Sequence, residues 1–305
     1  MGVRVWKGDA ARGRLEAWFD RFRARIPVPV ESRDVPTRHG PSHVLLGGPA
    51  DGPPLVCLHP MRAGSAHLLS ELGPLLDRFR VIAPDIPGQS VRGPHVRLPL
   101  DGDSAARWLL DILDGLGLES VGLFGVSWGG FVARQTASVA PGRVRRLALL
   151  VPAGVANGSH WKGLTRMALP LLRYRLRRSD RNLRRFLDPL LTTWDADWAA
   201  SMGDTLRDMP MDLRVPPLAT DDELRRLTMP VLALGAADDL SFPGAAVAGR
   251  VRSAVPHAEV EVIAGCKHCP PTTPEFRAWL SGRLSAFFEG GQHRPNQALQ
   301  QAAGA

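Results

Sequence analysis

The 305-residue sequence lacks several features that mark secreted, membrane-spanning or disulfide-rich proteins. It has three cysteines and one tyrosine, and no apolar run approaches the roughly 18 residues of a membrane-spanning helix. An odd, small cysteine count argues against a disulfide framework, and residues 1–10 lack the apolar stretch of a secretion signal. We therefore expect a soluble, cytoplasmic protein, long enough to bury one full α/β core with an insertion.

Two of the cysteines, Cys266 and Cys269, form a C-x-x-C pattern that could be a redox pair or half of a zinc site. A structural zinc site needs four ligands, and Cys57 is the only thiol left. Two prolines also follow Cys269, where a thioredoxin-type motif would begin a helix. The sequence therefore predicts no metal and no cofactor, with both thiols packed beside the intervening His268.

Positive charge is in excess: the formal net charge is +8 and the sequence pI is about 10.5. Residues 162–185 contain nine Lys/Arg and one acidic residue, Asp180. A basic face attracts anions, so a preference for anionic acyl substrates is one interpretation. Because no nucleic-acid recognition motif is present and interleaved aromatics are few, we expect solvated helix faces and no nucleic-acid partner. The absence of a long apolar run predicts no membrane partner. Monomer and homodimer both stay open.

The pentapeptide Gly125-Val126-Ser127-Trp128-Gly129 directly follows the apolar run 121–124. G-x-S-x-G between a strand and a helix is typical of a nucleophile elbow, a sharp turn that exposes the serine at the end of a sheet. Side chains at the flanking positions would obstruct that turn, which explains the glycines. The motif predicts Ser127 as a catalytic nucleophile.

A serine nucleophile needs an imidazole base and a carboxylate that orients it. His268 lies in a short loop after the alternating stretch 258–262, where it can project over the sheet edge. For the acid, residues 231–235 predict a buried strand, and Asp238 and Asp239 follow it. Neighbours in an extended loop point in different directions, so one of them reaches the imidazole; Asp238 is the first choice and Asp239 the alternative.

Apolar segments alternate with helical patterns along most of the chain. Residues 9–25 predict an amphipathic helix, residues 31–47 a strand pair turned at Gly40-Pro41, and helices are predicted at 65–78, 101–115, 128–139, 243–253 and 274–288. This alternation indicates an α/β fold with a mostly parallel central sheet and helices on both faces. It stops between 154 and 220, a segment rich in leucine and tryptophan.

Taken together, these motifs resemble the α/β-hydrolase superfamily, and more narrowly bacterial serine carboxylesterases with a helical cap. The resemblance covers residues 31–288 and includes the strand and loop 55–60, the strand and turn 81–88, and the three catalytic positions. It implies an oxyanion hole formed by the backbone N–H groups of Met61 and Trp128. Two positions depart from the family pattern, Pro60 and Lys267, where glycine is usual. Proline lacks an N–H, but the expected donor is the next residue.

The resemblance also divides the chain into parts. Residues 1–153 would hold the N-terminal helix and the first part of the core, 154–220 a helical cap, 221–289 the second part of the core, and 290–305 a disordered polar tail. A cap over the serine would contribute to the substrate pocket, for which the candidates are Arg62, Trp161, Trp194, Trp198 and Phe242.

We therefore expect a cofactor-independent serine hydrolase that cleaves small or medium carboxylic esters through an acyl-enzyme. A serine at 127 argues against dehalogenases and epoxide hydrolases of this fold, which use aspartate. Prolyl aminopeptidase, polyester depolymerase, cofactor-free haloperoxidase and acyltransferase activities are alternatives on the same triad. A non-catalytic ligand-binding protein is an alternative of another class, because fold does not fix function.

Overall fold

A computed structural model describes residues 5–210, 212 and 214–291 of the chain, and an eight-stranded sheet lies at its centre. The strands are β1 (Val30–Val35), β2 (Ser42–Gly47), β3 (Pro54–Leu58), β4 (Arg80–Pro84), β5 (Val121–Val126), β6 (Val144–Leu150), β7 (Val231–Ala236) and β8 (Glu259–Ile263). Their order is β1-β2-β4-β3-β5-β6-β7-β8. β2 pairs antiparallel with β1 and β4, and all other pairs are parallel. The predicted strand pair and mostly parallel sheet are confirmed.

Helices occupy both faces of the sheet and most of the segment 154–220. They are α1 (Asp9–Arg23), α2 (Ser65–Glu71), α3 (Ser104–Gly115), α4 (Trp128–Val139), α5 (His160–Gly163), α6 (Leu169–Leu176), α7 (Asp180–Leu187), α8 (Ala196–Asp208), α9 (Asp221–Arg225), α10 (Gly244–Ala254) and α11 (Pro274–Phe288). One π-helical stretch, Leu164–Ala168, joins α5 to α6 without a break in helical dihedrals. Among the described residues, no helix is long and apolar enough to cross a membrane.

Two hydrophobic layers follow from the alternation of side chains along the strands. In β3, Val56 and Leu58 join the layer that holds α3, α4 and α10, whereas Leu55 and Cys57 join the layer that holds α1, α2 and α11. Because successive strand residues point to opposite faces, an almost continuous apolar run fills both layers. The central strands β5 and β7 are buried over their whole length, as expected for a parallel sheet covered on both sides.

The 154–220 segment lies between β6 and β7 and carries a small hydrophobic cluster of its own around Phe186, Leu187 and Leu191. Its helix α8 packs on α1, and Arg14 of α1 forms a bidentate ion pair with Asp208 at the end of α8. The division of the chain into core and cap stays a prediction, and most of the predicted polar tail, 292–305, lies outside the described residues.

Candidate active site

Ser127 stands between β5 and α4 in a backbone conformation that side-chain-bearing residues rarely adopt. Its φ is 51° and its ψ is −110°, which costs about 1 to 3 kcal/mol and is tolerated only where the surroundings enforce it. The enforcement comes from two bonds: the Ser127 N–H donates to the carbonyl of Leu150, and the Ser127 carbonyl accepts from the N–H of Ala153. Both ends of the residue are therefore held by the chain that leaves β6.

The two glycines of the pentapeptide allow α4 to approach the sheet. A Cβ at Gly129 would overlap the carbonyl oxygen of Leu58 at the end of β3, and a Cβ at Gly125 would overlap the carbonyl of Gly129. Neither obstacle is a flexible side chain, so neither could move without a shift of backbone. The elbow and the neighbouring strand β3 are thus packed backbone to backbone.

Three side chains form a hydrogen-bonded chain at the carboxyl edge of the sheet. The Ser127 Oγ lies 3.0 Å from the His268 Nε2, and the His268 Nδ1 lies 2.8 Å from the Asp239 Oδ2. Because the ionised carboxylate can only accept, Nδ1 carries the proton and Nε2 is free to accept from the serine hydroxyl. This is the arrangement in which an imidazole can take the proton of a serine nucleophile.

The carboxylate in contact with His268 belongs to Asp239, so the first choice of Asp238 is wrong. β7 continues to Ala236, and the turn that follows bonds the Asp239 N–H to the Ala236 carbonyl and directs the Asp239 side chain inward. Asp239 is 3% exposed, whereas the Asp238 side chain is exposed. Two identical side chains follow the strand, and only the path of the turn distinguishes them.

Asp239 is buried but fully bonded. Burial by itself raises the pKa of its carboxyl group, and the charge and hydrogen bond of His268 together with the N–H groups of Ser241 and Phe242 outweigh that effect. The pKa of Asp239 therefore lies below its usual value. The carboxylate remains ionised at neutral pH, as a group that orients an imidazolium must be.

Thr192, which the sequence did not single out, holds the loop around His268. Its Oγ1 accepts from the N–H of Lys267 at 2.9 Å and donates to the carbonyl of Cys269 at 2.8 Å. One hydroxyl of the 154–220 segment thus bonds the residues on both sides of His268. A lone threonine between helices has no motif, so no sequence signal could have found it.

Both thiols beside His268 are protonated at neutral pH. Burial raises the pKa of Cys266 to about 11 and that of Cys269 to about 12. A thiolate is the form that attacks disulfides and binds metals, so burial disfavours the reactive form of both residues. Within residues 5–210, 212 and 214–291, no group of three or more His, Cys, Asp or Glu side chains is arranged to hold a metal ion.

The loop after β3, which contains Met61, is held by hydrogen bonds of the buried His59 ring. The His59 Nε2 accepts from the N–H of Ile86 at 2.9 Å, and the His59 Nδ1 donates to the carbonyl of Pro60 at 2.8 Å. Burial lowers the pKa of His59, which agrees with this neutral tautomer. Pro60 therefore supplies the carbonyl that accepts from the His59 ring.

The side chains predicted to form the substrate pocket separate into distinct groups. The Phe242 ring lies 5.3 Å from the His268 ring in an edge-to-face contact, next to the triad. Trp198 instead packs on Phe22 and donates its indole N–H to Glu71 at 2.9 Å. The pocket prediction is wrong for Trp198, because that hydrogen bond holds its indole between α8 and α2.

The remaining pocket candidates are Arg62, Trp161 and Trp194. The guanidinium of Arg62 donates to the carbonyl of Pro210 at 3.1 Å and lines a small cavity beside α1 and α8. Trp161 is 72% exposed, and Trp194 is 43% exposed beneath the guanidinium of Arg184. The place of Trp161 and Trp194 in the substrate pocket stays a prediction.

Comparisons with known proteins agree with this architecture. The carboxylesterase named nap of Bacillus subtilis is 28% identical over 268 residues, which cover 86% of this chain and 88% of that protein. The carboxylesterase YbfK of the same organism is 26% identical over 280 residues, 90% of this chain and 93% of the relative.

Solved structures give the same result for the fold. The crystal structure of naproxen esterase from Bacillus subtilis superposes with a TM-score of 0.79 at 25% identity, covering 92% of this chain and 99% of that one. The family model described as alpha/beta hydrolase fold matches residues 53–272, well over half of the sequence. The chain belongs to the α/β-hydrolase fold family.

Proposed function

We propose that this protein is a serine carboxylesterase that cleaves esters of small or medium acyl chains through an acyl-enzyme. The observation that carries the proposal is the hydrogen-bonded series from Asp239 through His268 to Ser127, with the serine at a strained elbow. The resemblance to proteins named carboxylesterases over most of their length supports it.

Acylation begins when Ser127 Oγ attacks the ester carbonyl carbon while His268 Nε2 takes the hydroxyl proton. The Asp239 carboxylate keeps the Nδ1–H oriented and stabilises the imidazolium. Collapse of the tetrahedral intermediate breaks the bond to the alcohol, which receives the proton from Nε2. Water then attacks the acyl-enzyme with His268 as base and releases the carboxylic acid and the free serine.

The negative charge of the intermediate would be bound by the backbone N–H groups of Trp128 and Met61. Trp128 is the first residue of α4, and the N–H groups of a first helical turn have no intrahelical partner. They are also at the positive end of the helix dipole. Met61 lies on the loop that His59 fixes, one residue before Arg62, whose φ is 59°.

The test is hydrolysis of p-nitrophenyl acetate, butyrate and octanoate by purified protein. We expect turnover with the shorter esters, and Ser127→Ala and His268→Ala should each lower it by about 10⁴-fold or more. The double variant should be scarcely slower than either single variant, because the members of a triad act as a unit.

Ser138→Ala is a matched control, since this serine is also buried on α4 but lies far along the helix from the elbow. It should retain activity close to that of the unaltered protein. If Ser127→Ala hydrolysed these esters as fast as the unaltered protein, the mechanism would be wrong. If the unaltered protein hydrolysed none of these esters but still bound them, the alternative of a non-catalytic ligand-binding protein would replace the esterase proposal.

A further inference from the structure

A stripe of exposed apolar side chains runs along the helical stretch 160–176. Its members are large and exposed by 46% to 80%: Trp161, Leu164, Leu169, Leu172 and Leu176. Among the described residues, eleven large hydrophobic side chains are exposed, and five of them fall in this stretch. The stripe is therefore a concentrated patch and not the scattered apolar exposure that any surface has.

The same helical stretch is attached to the protein by its other side. Met167 and Leu171 pack against the small hydrophobic cluster of the 154–220 segment, and Tyr174 is buried with its hydroxyl donating to the carbonyl of Gly203. Leucines that only stabilised the fold would be on this inner side. The outer stripe is thus available for a partner.

The charge around the stripe has one sign. Residues 154–179 contain six Lys/Arg and no Asp or Glu. The six are Lys162, Arg166, Arg173, Arg175, Arg177 and Arg178, and all are exposed. A helix with an apolar stripe, an aromatic residue and flanking basic side chains has the composition that lies in the headgroup region of an anionic bilayer.

We propose that the 160–176 stretch docks this protein on anionic lipid surfaces, which replaces the expectation from the sequence of a solvated helix face without a membrane partner. The leucines and Trp161 would enter the boundary between headgroups and acyl chains, and the arginines would contact lipid phosphates. A second copy of the chain fits less well, because a two-fold interface places the same patch on both sides and would oppose six positive charges with six more. Nucleic acid fits less well because four of the five side chains of the stripe are leucines, which offer bases no stacking surface.

Docking would also orient the candidate active site. The Gly158 N–H, three residues before Trp161, donates to the carbonyl of Ser241 at 2.8 Å, and the N–H of Ser241 bonds the Asp239 carboxylate. The backbone two residues before α5 is therefore bonded to the loop that carries the triad acid. This orientation would favour esters dissolved in lipid and rests on the proposed function, whereas the docking itself does not.

The experiment is flotation of the full chain, as the unaltered protein and as Ser127→Ala, with two kinds of vesicle. One is pure phosphatidylcholine and the other contains equal parts of phosphatidylcholine and phosphatidylglycerol. At about 0.1 M salt we expect at least about tenfold more binding to the anionic vesicles, falling steeply at about 0.5 M because surface charge is then screened. Ser127→Ala should bind equally, so a failed esterase assay leaves this test intact.

Variants distinguish membrane binding through the apolar stripe from nonspecific attraction by the protein's net positive charge. Leu172→Glu with Leu176→Glu should reduce the bound fraction by about tenfold or more, because two inserted side chains are lost. The matched control is Val139→Glu with Val262→Glu, two valines that are 42% and 40% exposed elsewhere, and its loss should be much smaller. Arg173→Glu with Arg177→Glu should abolish the preference for anionic vesicles, while Arg225→Glu with Arg226→Glu should retain most of it.

A second readout does not depend on the folding of the leucine variants. Vesicles should shift the tryptophan emission of the unaltered protein to shorter wavelength, and Trp161→Phe should remove most of that shift. Absence of binding to anionic vesicles would overturn the proposal, and so would equal binding by the leucine variants and their control. A concentration-dependent dimer that Leu172→Glu abolishes, without vesicle binding, would show that a second copy covers the stripe.

Discussion

The carboxyl edge of the sheet and the 154–220 segment place their residues under opposite constraints. Around Ser127, backbone meets backbone, glycines leave no space for a Cβ, and each polar group of the triad has a bonded partner. On the outer side of α5 and α6, leucines and arginines are exposed and side chains could change without a clash. Chemistry requires positions accurate to a fraction of an ångström, whereas surface contact requires only the right kind of side chain.

The 154–220 segment joins the core where α8 packs on α1 and bonds to α2. His67 of α2 stacks on Phe22 of α1 and lies 3.1 Å, through its Nε2, from the Ser201 Oγ of α8. The loop contacts of Thr192 form a second junction beside His268. The 154–220 segment is therefore bonded to the core at two places, the loop of His268 and helix α2.

The largest expected effect is at the triad acid. Asp239→Asn should lower kcat by about 10⁴-fold, because the amide favours the wrong imidazole tautomer and cannot stabilise the imidazolium. Asp238→Asn changes the same functional group one residue away on an exposed side chain, and it should stay within a few-fold of the unaltered protein. Ester hydrolysis by both purified variants, with circular dichroism as the fold control, measures the difference. The reverse ranking would return the role to Asp238.

A smaller effect is expected from glycine-to-alanine substitutions, which compare the packing around Ser127 with that of the 154–220 segment. Gly129→Ala should destabilise the protein by about 3 kcal/mol or more, because the new Cβ overlaps the Leu58 carbonyl and backbone must shift. Gly163→Ala, at a helical position with open space around it, should stabilise by about 0.5 to 1 kcal/mol through better helix propensity. Denaturant unfolding gives both values. Similar losses of stability at both sites would mean that the two regions are packed equally tightly.

The smallest expected effect is the pH dependence of stability that arises from His67, where α2 contacts α8. Burial lowers the pKa of His67 to about 3, so the folded protein leaves this imidazole neutral while the unfolded chain protonates it below about pH 6.5. The contribution of neutral His67 to the free energy of unfolding is complete above the pKa that His67 has in the unfolded chain. It falls as the pH drops toward the pKa that His67 has in the folded protein. Between pH 6 and 4 the loss should reach about 1.4 kcal/mol per pH unit.

His67→Gln should remove that part of the slope of unfolding free energy against pH. The slope is the readout, so the loss of stacking on Phe22 does not interfere. His160→Gln, at an exposed histidine on α5, is the matched control for the same substitution away from α8. An unchanged slope in His67→Gln would mean that His67 takes up protons in the folded protein as readily as in the unfolded one.

Much of the fold could be predicted from the sequence because its signals are local. The alternation of apolar strands and amphipathic helices, and the glycines at 125 and 129, depend on residues close together in the chain. The same holds for Ser127 as the elbow residue and for His268 as a loop residue after a strand. Local sterics and hydrophobic periodicity act within a few residues, so the pattern alone determined these elements.

Only the tertiary structure decided which carboxylate contacts His268, where Trp198 packs and which residue holds the loop around His268. Asp238 and Asp239 have identical side chains, and their difference arises from the turn after Ala236 and from contacts with β8 and the His268 loop. Trp198 became an interhelical residue because Glu71, far away in the chain, accepts its N–H. Such contacts join segments that the sequence separates by 29 to 127 residues. Packing, which no local pattern encodes, selects among them.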